Sequence, residues 1–307
     1  MSKKFAIGVD LGGTNLKAGL VDAKYRIRDR LSFCTPGLGG KHGLIAQICR
    51  AVDELRRRNK LSLSEIAGVG IGVPGPVDHK KGIIHFFPNI PGWRNVRLRD
   101  ILQRNLKIPV SLDNDAKAAG LAEFFLGAGR GLHNVLCVTL GTGVGGALIL
   151  SGRLFRGVDN AAGEIGHLQV NLRGPRCNCG GIACLEAYVG NSRIGAAAKK
   201  ICGRDIPLEE LSQLAARGNA KALRVWQETG FILGTALAGA VNLLNLDAVV
   251  IGGGVSNAGE ILFSRVRQAL RRRAMSVQAR RIKIVAARLG GDAGIIGAAI
   301  LAQEGTA

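Results

Sequence analysis

The segment Asp10–Lys17, DLGGTNLK, brings backbone donors, a hydroxyl, a cation and a carboxylate together. FAIGV before it and AGLV after it are short and β-prone, which puts Gly12, Gly13 and Thr14 at the tip of a strand–turn–strand hairpin. Glycines at such a turn let backbone amides approach a ligand closely. Thr14 adds a hydroxyl, Lys17 a cation, and Asp10 ends the first strand with a metal-seeking carboxylate. This set suits a nucleotide's phosphates. An ordinary glycine-rich hairpin uses the same glycines, so the segment alone leaves both readings open.

A second constellation lies between residues 164 and 186. Glu164-Ile-Gly-His167 precedes Cys177-Asn-Cys179 and Cys184-Leu-Glu186. One imidazole and three thiols, the latter spaced C-x-C-x4-C, fit a tetrahedral Cys3His zinc site. Four protein ligands close such a site, so the metal would be structural. The competing reading is free thiols beside an exposed histidine. Glu164 and Glu186 lack basic neighbours in sequence; they are either acceptors for a polyhydroxy ligand or ordinary surface carboxylates.

Asp113-Asn114-Asp115 stands where a strand gives way to a helix. A carboxylate there can orient and deprotonate a hydroxyl nucleophile, or simply cap the helix. GGGVSNAG (252–259) follows a strand and precedes a helix, so its backbone could hold a ribose or phosphates. A plain strand-to-helix loop capped by Ser256 or Asn257 explains it equally well. Gly141-Gly143-Gly146 and Gly70-Gly72-Gly75 match G-x-G-x-x-G, but strand-like ALIL follows the first and a turn follows the second. Neither opens a helix, which the dinucleotide fingerprint requires. Gly40-Lys41 is followed by His42, so no Walker loop is formed.

These groups need a scaffold to hold them. With 307 residues and 47% hydrophobic content, the chain can build two domains or one large α/β unit. Phe5–Asp22 reads as a hairpin, and Leu44, Ile45, Ile48, Val52 and Leu55 recur at helical spacing over 41–59. Strand 66–75 is buried, 82–93 is loop-rich, and 110–129 gives strand, polar corner and helix. Residues 135–152 repeat strand, Gly/Thr turn, strand about 130 residues after the first hairpin, which suggests two related halves facing a cleft. Helices over 191–202, 208–217 and 219–246, a strand and turn over 247–259, and a helix to Arg273 follow. A strand over 282–289 and a small-residue helix over 293–302 end the pattern.

The formal charge of +20 would attract polyanions. Its clusters, Arg56-Arg57-Arg58, Arg271-Arg272-Arg273 and Arg280-Arg281, have no interleaved aromatics and read as solvated helix faces, with no specific nucleic-acid partner expected. Seven cysteines, an odd number, and Met1-Ser-Lys-Lys running directly into a strand predict reduced thiols, no signal peptide and a cytoplasmic setting. The uncharged run Thr229–Leu246 holds Gly230, Gly234, Gly239, Asn242 and Asn245, so it reads as a buried core helix and no membrane contact is expected.

The motifs DLGGTNLK (10–17), IGVPGPVD (71–78), PNIPGW (88–93), DNDA (113–116), LGTGVGG (140–146), EIGH (164–167), CNCGGIACLE (177–186) and GGGVSNAG (252–259) occur in the order found in the ROK sugar kinases. The name abbreviates repressor, open reading frame, kinase. The chain resembles most the bacterial ATP-dependent glucokinase branch, from about residue 5 to 302. The resemblance implies an actin-like, ribonuclease-H-like pair of α/β domains around a central cleft. The first would span 1–117 plus 293–307, and the second, with the zinc-binding loop, 118–292. ATP would meet Gly12, Gly13, Thr14, Asn15, Lys17, Gly141, Thr142 and Gly143, with Gly253 and Gly254 near the adenosine and Mg²⁺ near Asp10. The hexose would be held by Asn89, Asn114, Glu164, His167 and Glu186. Asp115, directly after Asn114, matches the family's catalytic aspartate. Zinc would be bound by His167, Cys177, Cys179 and Cys184, with the second imidazole nitrogen turned to a sugar hydroxyl. One departure stands out: Ala183 replaces the glycine of the family's C-x-C-G-x-x-G-C, which is awkward if the position needs a positive φ.

The activity so implied is transfer of the γ-phosphoryl group of ATP to the 6-hydroxyl of glucose, with Asp115 accepting the proton. Other hexoses (N-acetylmannosamine, N-acetylglucosamine, fructose, allose) and a polyphosphate donor remain alternatives. A sugar-responsive repressor of the same family would need a helix-turn-helix before the first hairpin, and Asp10 stands too early for one. Relatives make a homodimer the default.

Overall fold

The computed structural model describes residues 4–35, 40–87 and 92–304. The chain divides into two compact units: Met1–Leu126 with Arg156–Ala162 and Gly291–Ala307, and Gly127–Phe155 with Gly163–Gly290.

The first unit opens with β1 (Phe5–Leu11), β2 (Asn15–Asp22), β3 (Ile27–Cys34) and α1 (Gly40–Arg58). There follow β4 (Ile66–Val73), the short β5 (Val77–Asp78), β6 (Ile83–Phe86) and β7 (Arg94–Val96), then α2 (Leu98–Leu106), β8 (Val110–Asn114) and α3 (Asp115–Phe125). The main sheet has the order β3-β2-β1-β4-β8. Its first three strands are antiparallel, and β1, β4 and β8 run parallel. All eight residues of β4 are buried, as expected of a parallel strand covered on both faces. Leu44, Ile48, Val52 and Leu55 of α1 join one core with β1, β2, β4 and β8. The strand β3 and the three-stranded sheet β5-β6-β7 were not expected. β3 alternates half-buried and exposed residues, IRDRLSFC, a polar edge that hydropathy alone does not mark.

The second unit repeats the plan. Its sheet comprises β9 (Val135–Leu140), β10 (Val144–Leu150) and β11 (Arg153–Leu154). The helices α4 (Glu186–Val189), α5 (Asn191–Cys202), α6 (Leu208–Ala216) and α7 (Ala220–Leu244) precede β12 (Ala248–Gly252). Then come α8 (Glu260–Arg273), α9 (Ser276–Arg281) and β13 (Lys283–Ala286). The order β11-β10-β9-β12-β13 matches the first sheet strand for strand, again two antiparallel pairs followed by two parallel ones. The uncharged run lies on α7, where a Cβ on Gly230 or Gly234 would press on the backbone of α8 at Leu262 or Val266. Two helix backbones in contact explain the missing side chains. Among the described residues no helix is long and apolar enough to cross a membrane.

The chain returns to the first unit in α10 (Ala293–Glu304), which is apolar almost throughout. It lies so close on β1 and β4 that a Cβ on Gly8 or Gly70 would overlap the carbonyl oxygens of Ile295 and Ala298. α3 packs against the same helix, with the Gly297 Cα facing the Ala118 carbonyl. The first unit accordingly runs to Leu126, where 117 was expected, and it also takes in Arg156–Ala162.

Candidate active site

The two glycine turns occupy equivalent places, one between β1 and β2 and one between β9 and β10. At the first, the Gly12 amide donates to Asn15 O at 2.8 Å, and Thr35 braces the turn from its hydroxyl to Gly12 O at 3.0 Å. Gly13, Thr14 and Asn15 are exposed at the tip. Asp10 pairs across the ladder with Lys17. The Asp10 carboxylate abuts the Gly294 Cα at the amide end of α10, where any side chain would overlap it. Burial pushes the Asp10 carboxyl above its ordinary range, and the Lys17 ammonium opposes that shift. A half-buried carboxylate whose burial outweighs the nearby Lys17 ammonium could hold a divalent cation.

The second turn has no charged flanks. Gly141 N donates to Gly143 O at 2.9 Å, and the Val144 amide donates to Glu186 Oε2 at 2.9 Å. That carboxylate fills the space where a Gly143 side chain would stand. Glu186 is therefore a brace of the turn, not the unattached acceptor expected from its sequence surroundings.

Around Asp115 the local logic is that of a helix start. Asn114 is the N-cap of α3: its Oδ1 accepts the amides of Ala116 at 3.0 Å and Lys117 at 3.2 Å. Its Nδ2 donates to Gly75 O at 3.3 Å. Asp115 takes the first helical position, and the Ala116 amide donates to its Oδ1 at 2.8 Å. The capping task thus falls to Asn114, which leaves Asp115 as the carboxylate presented at the amide end of α3.

His167, Cys177, Cys179 and Cys184 place one ligand atom each within 4.8 Å of the others. Cys177 Sγ lies 3.8 Å from His167 Nδ1, and Cys179 Sγ lies 3.7 Å from Cys184 Sγ. A tetrahedral zinc with bonds of about 2.3 Å to sulfur spaces its ligand atoms by roughly 3.6–3.8 Å, so the residues fit the ion. Electrostatics point the same way. The Gly181 amide, 3.4 Å from Cys179 Sγ, draws that thiol's pKa down. Burial and the neighbouring sulfurs push Cys184 up to about 12, and burial raises Cys177. Ionising all three thiols side by side needs a cation among them. Ala183, fully buried within this loop, has φ 56°, so the position does require the left-handed conformation that glycine adopts freely.

At the end of β12, Gly253 has φ 87°, and a Cβ there would overlap the Leu140 carbonyl. A short 3-10 turn over Gly254–Ala258 follows, and α8 starts only at Glu260, capped by Gly259 and not by Ser256 or Asn257. Glu164 is exposed, and its carboxylate has no hydrogen-bond or ion-pair partner among the described residues. Asn89 lies outside the described residues.

The profile of the ROK family matches residues 6–305. The chain belongs to the ROK family. It is 36% identical to a glucokinase of Thermotoga maritima, over 99% of each chain. It superposes with a TM-score of 0.84 on a ROK family glucokinase from Streptomyces griseus solved with glucose and AMPPNP, at 34% identity and covering 98% of this chain and 99% of that one. With the ROK hexokinase of Thermus thermophilus the TM-score is 0.85 at 35% identity, covering 97% of both chains. The doubled sheet is the actin-like, ribonuclease-H-like architecture of these relatives.

In this ROK protein the residues missed by sequence reasoning surround Asp113. Its carboxylate is fully buried and accepts Arg156 Nε at 2.8 Å and Asn160 Nδ2 at 3.3 Å. Asp113 was visible as one of two acidic candidates in DNDA. Arg156 and Asn160 carried no signal, because a loop arginine and asparagine read as solvated until their partner is known.

Proposed function

We propose that the protein is an ATP-dependent hexokinase that phosphorylates the 6-hydroxyl of glucose, with Asp115 as general base. The observation that carries this reading is the Asn114–Asp115 corner. The N-cap is supplied by Asn114, and the carboxylate after it is held at the first position of α3, where its Oδ1 accepts the Ala116 amide. Near-full-length similarity to glucokinases, one of them solved with glucose and an ATP analogue, supports both substrates.

The 6-hydroxyl oxygen attacks the γ-phosphorus while the Asp115 carboxylate takes its proton. The Ala116 amide fixes the rotation of that carboxylate, so the acceptor oxygen is oriented before the sugar arrives. Asn114, Glu164, His167 and Glu186 are the sugar-side groups, and Asn89 joins them by resemblance. Phosphates of ATP lie along Gly12–Asn15 with Lys17 and along Gly141–Gly143, where exposed amides replace water. Gly253 and Gly254 border the nucleoside. Asp10 would hold magnesium, which when bound would neutralise phosphate charge. His167, Cys177, Cys179 and Cys184 would hold zinc, which when bound would give rigidity to the loop that carries His167 and Glu186.

A coupled assay with a panel of hexoses, each with ATP and with polyphosphate, tests the proposal. Glucose with ATP should give the highest kcat/KM. Failure to phosphorylate any hexose from either donor would overturn it, and a different best hexose would redirect it. Size-exclusion chromatography with light scattering should give a homodimer.

A further inference from the structure

The buried carboxylate of Asp113 stands immediately before the Asn114–Asp115 corner, and the kinase reading above gives it no task. The neighbouring Asn114 amide donates to its Oδ1 at 2.8 Å, and two side-chain partners come from one stretch, Arg156–Ala162, which follows β11 and joins the first unit. Arg156 Nε donates to Asp113 Oδ2 at 2.8 Å. Asn160 Nδ2 donates to Val77 O at 2.7 Å and to Asp113 Oδ1 at 3.3 Å. The Lys117 ammonium, itself buried, donates to the Asn160 carbonyl. On the far side, His79 Nδ1 lies 2.7 Å from Leu112 O and 3.8 Å from Asp113 Oδ2. A carbonyl only accepts, so His79 carries its proton on Nδ1 and steadies the strand end behind the pair.

The arrangement brackets the corner. Asp113 fastens it on one side and Lys117 on the other, both to the same seven-residue stretch, and Asn114 and Asp115 lie between the two fastenings. Asn160 sits at φ 60°, a left-handed turn that aims its amide and its carbonyl at the two anchor points. The stretch then runs through Gly163 into Glu164, so one loop leads from the anchor of the proposed base to a proposed sugar ligand. A buried ion pair is a poor stabiliser against an apolar pair of similar size, and its attested use is to specify one arrangement over others.

We propose that Asp113 and Arg156 are positioning residues: their ion pair pins the 156–162 strap to the end of β8 and sets the placement of the Asp115 carboxylate. This rests on Asp115 being the base of the kinase. A shift of about one ångström at a reacting group lowers turnover roughly a hundredfold, so loss of the pin should be read in kcat and not in substrate capture.

The experiment compares Arg156→Ala, Asp113→Asn and the double variant by steady-state kinetics on folded protein. Each single variant should lose about a hundredfold in kcat with KM for ATP nearly unchanged. The double variant should be no worse than the weaker single, because both remove one interaction. Guanidinium ion added to Arg156→Ala should restore part of kcat, which a merely structural role would not allow. If Arg156→Ala does not fold, Arg156→Lys keeps the charge, loses the planar fork, and should still lose kcat against wild type with KM for ATP nearly unchanged. Turnover within about twofold of wild type in a folded Arg156 variant, or loss of Tm without loss of kcat, overturns the proposal. Hydrogen exchange separates this outcome from failure of the kinase reading. Amides of Ala116 and Lys117 should exchange about tenfold faster in Arg156→Ala whether or not the wild type phosphorylates a sugar. Unchanged exchange there overturns the pin itself.

Discussion

The two sheets share strand order, strand direction and a glycine turn at the same place, yet they equip that turn differently. The first turn carries its own charges, with Asp10 and Lys17 facing each other across its ladder. The second is flanked by Leu140 and Val144 and takes a carboxylate from Glu186, forty-two residues beyond Val144, at the edge of the thiol cluster. Glu186 Oε2 accepts the Val144 amide, while Oε1 lies 3.7 Å from Cys177 Sγ. One copy of the fold holds a self-contained charged site. The other takes its carboxylate from the loop that carries the thiol cluster.

The largest test concerns the first unit. Asp115→Asn should bind hexose normally and lose about 10²–10⁴ in turnover, the usual worth of a general base, in the coupled assay with calorimetric sugar binding beside it. Near-normal turnover would remove Asp115 from its role. The next test concerns the second unit. Elemental analysis should find zinc in the purified protein. Cys179→Ser or chelation should lower stability by more than about 3 kcal/mol in urea melts, the range typical of a lost metal. Sugar affinity should fall with it. A zinc-free wild type would end the contrast between the two turns.

Glu186→Gln probes the link itself. It keeps the oxygen that accepts the Val144 amide but removes the charge, so KM for both substrates should rise while Tm shifts little. Glu186→Ala strands that amide and should also cost roughly 1–3 kcal/mol of stability. Lys17→Ala in the other unit should weaken ATP alone. If Lys17→Ala and the Glu186 variants weaken ATP and sugar equally, the two turns are not specialised.

Asp10 gives a pH test of the charged turn. Its folded pKa is raised above the ordinary 3.8, so the unfolded chain ionises first. The stabilising contribution is then complete below the unfolded pKa and is lost as pH rises through the folded one. Without divalent cation, wild type should lose stability from about pH 4 upward through this group. Asp10→Asn should remove that loss in urea melts with chelator and still depress ATP turnover. The smallest effect is expected at Ala183→Gly. Relief of left-handed strain, about 1–2 kcal/mol, is offset by a lost buried methyl of about 0.8 kcal/mol and by glycine's extra unfolded entropy. Thermal melts should therefore move by only a few degrees.

Much of the scaffold was legible because its signals are local. Helix α5 falls on the expected 191–202, and the two hairpins fall where apolar runs flank glycine turns. β3 and α9 were missed because their faces are largely polar, and the β5–β7 sheet because its strands are two to four residues long. At the site, the spacing of His167 and the three cysteines read directly as a donor set, since ligands close in sequence need little help from the fold to meet. Glu186 was legible as a carboxylate but not as a brace.

By itself the sequence determined the periodicities, the turn chemistry, the donor set and the order of motifs that marks the family, all of which are encoded within short windows. Only the tertiary structure decided which of two neighbouring aspartates is buried, which residue caps α3, that Ala183 must turn left-handed, and that Arg156 reaches Asp113. Those outcomes depend on partners tens of residues apart, such as the 43 positions between Asp113 and Arg156. The desolvation that makes a buried charge choose one partner exists only once the chain has closed around it.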